Sequence, residues 1–202
     1  MGLNMGYLIL YLVDNNNIFL TGLLVMIMPT ILGMGVPGVA AYVIVQAVAV
    51  PVLIDAGVLA LTSHLFCLIY ACLSNITPPV AISAYVASGI AGSDQTKTGI
   101  WAMRLGIIGF IFPFFFLDNP VLLIGVDPTA TMATTAWAVF TALLGTAGLV
   151  AGLEGWFLKR CNIIERIVLI ALAPTLLYPG LMTDVIGIGA FAGVAVLQYL
   201  RK

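Results

Sequence analysis

The stretch whose reading decides the fold is Ser74-Asn75-Ile76-Thr77-Pro78-Pro79, with apolar residues 59–73 before it and residues 80–92 after it. As helices the two arms are roughly 22 Å and 20 Å long. Neither comfortably crosses a hydrocarbon core of about 30 Å. Two short arms meeting at a polar Pro-Pro tip therefore read as a re-entrant hairpin. Such a tip survives at membrane depth only where protein or a water-filled cavity surrounds it, because lipid cannot satisfy free backbone groups. Further upstream, apolar residues 18–32 run into Gly33-Met34-Gly35-Val36-Pro37-Gly38, and apolar sequence resumes over residues 39–54. Pro37 removes a backbone donor and three glycines add flexibility, so this segment reads as a broken helix.

Composition sets the solvent. The 202 residues are 62% hydrophobic and 7% charged, with a mean hydropathy of +1.19. A soluble domain carries about 25% charged residues, so lipid must replace water around most of this chain. Apolar runs broken by short polar patches indicate helices, since barrel strands would alternate polar and apolar residues. The fold class is thus all-α integral membrane, a multi-spanning helical bundle. Net charge is −1, and the seven basic residues are scattered, so nucleic acid is not a partner. Cys67, Cys72 and Cys161 form neither a CxxC pair nor a disulfide framework, and the first two read as packing residues. The first charged residue is Asp14, so the basic start of a cleavable signal is missing.

Outside the two breaks the pattern is simpler. Residues 3–13 are apolar but too short to cross alone, and residues 14–17 make a polar turn. Asp55, Ala56 and Gly57 form a turn, residues 93–98 a polar loop, and residues 105–117 the core of a span. Residues 118–129 read as a loop, 131–153 as a span and 154–166 as a charged loop. Residues 167–178 and 185–200 form a last pair around a turn at 179–184. The organisation expected is a core over 1–125 and three further transmembrane helices over 126–202. Counting crossings puts Lys97, Arg104, Lys159, Arg160, Arg166, Arg201 and Lys202 on one side. The acidic loop with Asp118 and Asp127 falls on the other, which predicts a cytoplasmic C-terminus.

Chemistry has few places to reside. The single histidine, His64, lies mid-span and reads as a hydrogen-bonded core residue. No metal spacing, nucleophile elbow, P-loop or dinucleotide fingerprint is present. Intramembrane carboxylate pairs are also missing, which disfavours a membrane enzyme. The two breaks remain. Discontinuous helices in secondary transporters offer freed carbonyls to Na⁺ and positive half-helix N-termini to anionic substrates. Ser74, Asn75 and Thr77 supply small oxygen ligands beside Pro78 and Pro79. The first break offers carbonyls from Gly33 to Val36, through Met34 and Gly35, where Pro37 stops the helix. The bland alternative is a pair of packing kinks in a scaffold without transport activity. Asp55 reads as a solvated turn acid, and Asp184 and Glu154 as interfacial. Trp101, Trp137, Trp156, Tyr178 and Tyr199 fit an aromatic belt.

These segments resemble the large membrane subunit of tripartite ATP-independent periplasmic (TRAP) transporters. The likeness rests on residues 31–42, containing Gly33-Met34-Gly35-Val36-Pro37, and on Ile76-Thr77-Pro78-Pro79-Val80-Ala81. Gly89-Ile90-Ala91-Gly92 and Lys97-Thr98-Gly99 add to it. The trailing spans, including Tyr178-Pro179-Gly180-Leu181-Met182-Thr183-Asp184, resemble fused permeases of the TAXI type. The resemblance implies an elevator-type importer of organic acids in the cell inner membrane, coupled to Na⁺ and fed by a periplasmic binding protein. It also implies a core of two inverted halves, of which this chain resembles the C-terminal one, so an N-terminal half is an expected partner. Gly33, Met34, Gly35, Val36, Pro37, Ser74, Asn75, Thr77, Pro78 and Pro79 become ion- and substrate-site elements. Gly33, Val36, Ser74, Asn75 and Thr77 become the Na⁺ candidates. One departure is Gly38, where the family usually has threonine, which removes a hydroxyl from the first break. The chain by itself is expected not to transport.

Overall fold

Helices follow the apolar runs, and some of their starts are fixed by capping side chains. The computed structural model describes residues 17–123, 130–177 and 180–200. The expectations for residues 3–13, Asp14, Asp127, Tyr178, Pro179, Arg201 and Lys202 fall outside these. Among the described residues all regular structure is helical. Helix α1 (Ile18–Leu32) starts where the Asn17 side chain accepts the Leu20 N–H at 3.2 Å. It is followed by α2 (Gly38–Asp55) and α3 (Ala60–Leu73), the latter extended by a 3-10 turn over Ser74–Ile76. Next come α4 (Ile82–Ala91), α5 (Gln95–Leu105) and α6 (Ile107–Asp118), then α7 (Met132–Glu154), α8 (Ile163–Leu177) and α9 (Leu181–Leu200).

Three segments expected as loops are partly helical. The Asp94 carboxylate accepts the Lys97 N–H at 2.8 Å and so starts α5 at Gln95, inside the expected 93–98 loop. The Glu165 carboxylate accepts the Asn162 N–H at 2.9 Å, and α8 begins at Ile163 despite the charges nearby. Helix α9 begins at Leu181, so Asp184 stands in its first turn rather than in a connecting turn. At α5 and α8 the polar side chains initiate the helix.

Among the described residues, four apolar stretches of helix are long enough to cross a bilayer: Gly38–Asp55, Gln95–Leu117 (through α5 and α6), Met132–Glu154 and Met182–Leu200. The chain is a multi-pass helical membrane protein. Helices α1, α3 and α4 are apolar but shorter. At 14 and 10 residues, α3 and α4 are about 21 Å and 15 Å long. The chain forms two compact units that divide between Pro120 and Val121. In the first, Phe66, Tyr70 and Phe114 stack edge to face, and the Tyr70 hydroxyl donates to the Phe110 carbonyl. That carbonyl lies three residues before Pro113, within α6. In the second, Ala151, Leu169, Leu172 and Val194 form the core, flanked by Phe157 and Phe191.

Two helix breaks that meet

Both sequence breaks are breaks in the structure, and they lie against each other. At the first, Gly33 to Pro37 leave the helix between α1 and α2. The Gly33 carbonyl accepts the Val36 N–H at 3.2 Å, and Gly35 adopts a positive φ of 89°, which glycine tolerates without strain. At the second, α3 tightens into its 3-10 turn, Thr77 is extended, Pro78-Pro79 is a cis peptide, and Ala81 is left-handed at φ 31°.

The fit between them is close. A Cβ built on Gly33 would lie 2.6 Å from Ser74 Oγ and 2.6 Å from the Pro29 carbonyl. One on Gly38 would lie 2.9 Å from Cys72 Sγ, 3.2 Å from Cys72 Cα and 3.4 Å from Asn75 Nδ2. Glycine at position 38 thus has a packing reason: α2 begins against the backbone of α3, where there is no room for a side chain. Gly35 faces Val80 more loosely, at 3.9 Å.

Residues flanking the cis peptide are buried in protein, although Pro79 itself is exposed. Ser74, Thr77 and Ala81 are 0%, 6% and 0% exposed. Three further glycines pack against the hairpin, of which the sequence singles out only Gly99. A Cβ on Gly99 would come within 3.0 Å of the Tyr85 ring, on Gly106 within 2.5 Å of Ile76, and on Gly109 within 2.9 Å of Leu73. They let the run of α5 and α6 sit directly against hairpin side chains, where a larger residue would clash. Their spacing of seven and three residues was the available signal. The Tyr85 hydroxyl closes the tip by donating to the Pro79 carbonyl at 2.7 Å.

The candidate ligands divide by what they already bond. Ser74 Oγ donates to the Ala71 carbonyl at 2.6 Å, Thr77 Oγ1 to the Leu73 carbonyl at 2.8 Å, and Asn75 Nδ2 to the Cys72 carbonyl at 3.3 Å. Their hydrogens point into the helix, and the oxygens keep lone pairs. Pro78 and Pro79 have no N–H, so the Asn75 carbonyl has no helical donor. Among the described residues no backbone N–H reaches the carbonyls of Val36, Asn75 or Ile76. Helices α2 and α4 both start without a side-chain cap, behind Pro37 and Ala81, which leaves their first-turn N–H groups unoccupied by side chains. Met34 and Val36 are half-buried, whereas Gly35, Pro37 and Pro79 are exposed.

The remaining candidates lie apart from this pair. His64 is half-buried, and its Nδ1 is hydrogen-bonded to the Tyr42 hydroxyl at 2.7 Å. Asp55 is exposed at the end of α2. Cys67 is buried, but Cys72 is exposed, its sulfur lying at the start of α2. In the second unit Asp184 is only 5% exposed; its Oδ2 accepts the Trp137 Nε1–H at 2.8 Å, while Oδ1 is buried without a partner. Trp101, Trp137, Trp156 and Tyr199 are all well exposed.

Apolar helices broken at two points that pack on each other, in a chain of multiple crossings, define a polytopic membrane protein with discontinuous helices. A family model described as the tripartite ATP-independent periplasmic transporter, DctM component, matches residues 1–130. The match takes in more than half of the chain and both breaks, and the chain belongs to that family. It is a transporter component. No curated protein and no solved structure matches it.

Proposed function

We propose that the paired breaks are the ion and substrate site of a Na⁺-coupled importer of organic acids. The observation that carries this reading is the contact of Gly33 with Ser74 and of Gly38 with Asn75, beside carbonyls at Val36 and Asn75 that lie outside helical bonding. Carbonyls of this kind, with the lone pairs of Ser74 and Thr77, are hard oxygen donors suited to an alkali cation. The hydroxyl hydrogens are held by helix carbonyls, which turns oxygen density toward a cation. The uncapped starts of α2 and α4 carry the positive ends of helix dipoles, which favour a carboxylate.

In this reading the first unit is one half of a two-half core. An N-terminal permease half completes it, a periplasmic binding protein delivers the substrate, and the second unit consists of the extra spans of a TAXI-type permease. The protein resides in the inner membrane with its C-terminus in the cytoplasm. Replacing Thr77 or Asn75 by alanine in the assembled permease tests the proposal. Uptake and Na⁺ dependence should both fall. Parent-level uptake with unchanged Na⁺ dependence would leave the breaks as packing kinks of a scaffold.

A further inference from the structure

The connection between α7 and α8 is built as a fixed body. Gly155, at φ 74°, closes α7, with its N–H and that of Trp156 both donating to the Ala151 carbonyl. Trp156 and Arg160 then pair across a short antiparallel bridge, and the Phe157 N–H reaches the Lys159 carbonyl at 3.1 Å. Gln198, 0% exposed near the end of α9, fastens the loop from within. Its Oε1 accepts the Leu158 and Lys159 N–H groups, each at 3.1 Å, and its Nε2 donates to Glu165 Oε2 at 2.8 Å and Cys161 Sγ at 3.3 Å. Arg166 ties back to the end of α7, donating to the Gly152 and Leu153 carbonyls at 2.9 Å. Phe157 seats on Phe191, with ring centroids 5.0 Å apart.

The outward side of this body carries a different set. Trp156 is 58% exposed, Leu158 55% and Ile163 76%, and Arg160 is exposed opposite Trp156 across the bridge. The loop closes the end of a span, Met132–Glu154. An indole and apolar side chains at a span end belong at the headgroup level. A guanidinium beside them offers paired donors that match a phosphate. A loop needing only to connect two helices would not require a fully buried glutamine to hold its backbone.

We propose that Trp156 and Arg160 form a binding site for an anionic phospholipid, whose phosphate keeps the net charge that a choline would cancel. Trp156 and Leu158 enter the acyl boundary, Arg160 holds the headgroup, and Gln198 positions both. The site is tested in nanodiscs with Trp101→Phe and Trp137→Phe, so that Trp156 is the only tryptophan. Quenching by acyl-brominated phosphatidylglycerol is compared with quenching by the phosphatidylcholine analogue. One basic residue at a membrane surface favours anionic lipid by about 1 kcal/mol, or about fivefold. An enrichment of that size, lost in Arg160→Gln and weakened in Gln198→Leu while helix content holds, is the expected result. Equal quenching by the two lipids, or selectivity unchanged in Arg160→Gln, overturns the proposal.

Discussion

Gly33→Ala puts the contact between the two breaks to the test. The new methyl would sit 2.6 Å from both Ser74 Oγ and the Pro29 carbonyl, about 0.8 Å inside the 3.4 Å at which ordinary contact begins. One of these neighbours is backbone and the other is fully buried, so neither moves without displacing α1 or the hairpin tip. Overpacking of this kind costs about 1–3 kcal/mol. Gly89→Ala is the matched control: it lies inside α4, with nothing within 4 Å of its Cβ. There alanine should stabilise by about 0.5–1 kcal/mol through helix propensity. Unfolding in mixed micelles, followed by circular dichroism, should therefore move in opposite directions for the two variants. If cation binding needs the breaks in contact, 1–3 kcal/mol also weakens Na⁺ affinity by about 5- to 150-fold in the assembled permease. Equal stability of Gly33→Ala and Gly89→Ala would refute the close approach and the reasoning built on it.

Other positions make separate demands. Gly38→Thr should destabilise by about 1–3 kcal/mol. Adding Cys72→Ala should rescue it only partly, because the Cys72 Cα lies within 3.2 Å; thermal unfolding of the single and double variants checks this. Trp137→Phe removes the hydrogen bond to Asp184, whose other oxygen already lacks a partner. It should cost about 1–3 kcal/mol in thermal unfolding, the usual range for stranding a buried polar group. Tyr42→Phe and His64→Leu should be non-additive in a double-mutant cycle, with a coupling of about 0.5–1.5 kcal/mol for their hydrogen bond. Additivity there would mean that the pair contributes nothing to holding α2 on α3.

Much of this architecture is legible in the sequence because glycine and proline act locally. The helix stops where proline stands among glycines or beside a second proline, at Pro37 and Pro78-Pro79, whereas the lone Pro29, Pro51, Pro113 and Pro174 stay inside helices; the arm lengths follow from counting apolar residues. The hairpin ends found, Leu73 and Ile82, lie within two residues of those expected for that reason. Polar initiation was harder to read: Asp94 and Glu165 look like loop residues until their carboxylates are seen to cap α5 and α8. The partnership of Gly33 with Ser74 and of Gly38 with Cys72 was not legible, because sequence order carries no information on which turns of distant helices touch. Gln198 is the clearest omission. Nothing in its sequence surroundings marks it as fully buried, yet it holds a loop some forty residues upstream.

The most direct measurement of the central claim is backbone hydrogen exchange of the assembled permease in nanodiscs, in NaCl against choline chloride at equal ionic strength. Residues 33–41 and 74–85 should gain protection together in Na⁺, and Thr77→Ala should remove the gain from both. Protection that ignores Na⁺, or that changes at one break and not the other, would contradict a shared cation site.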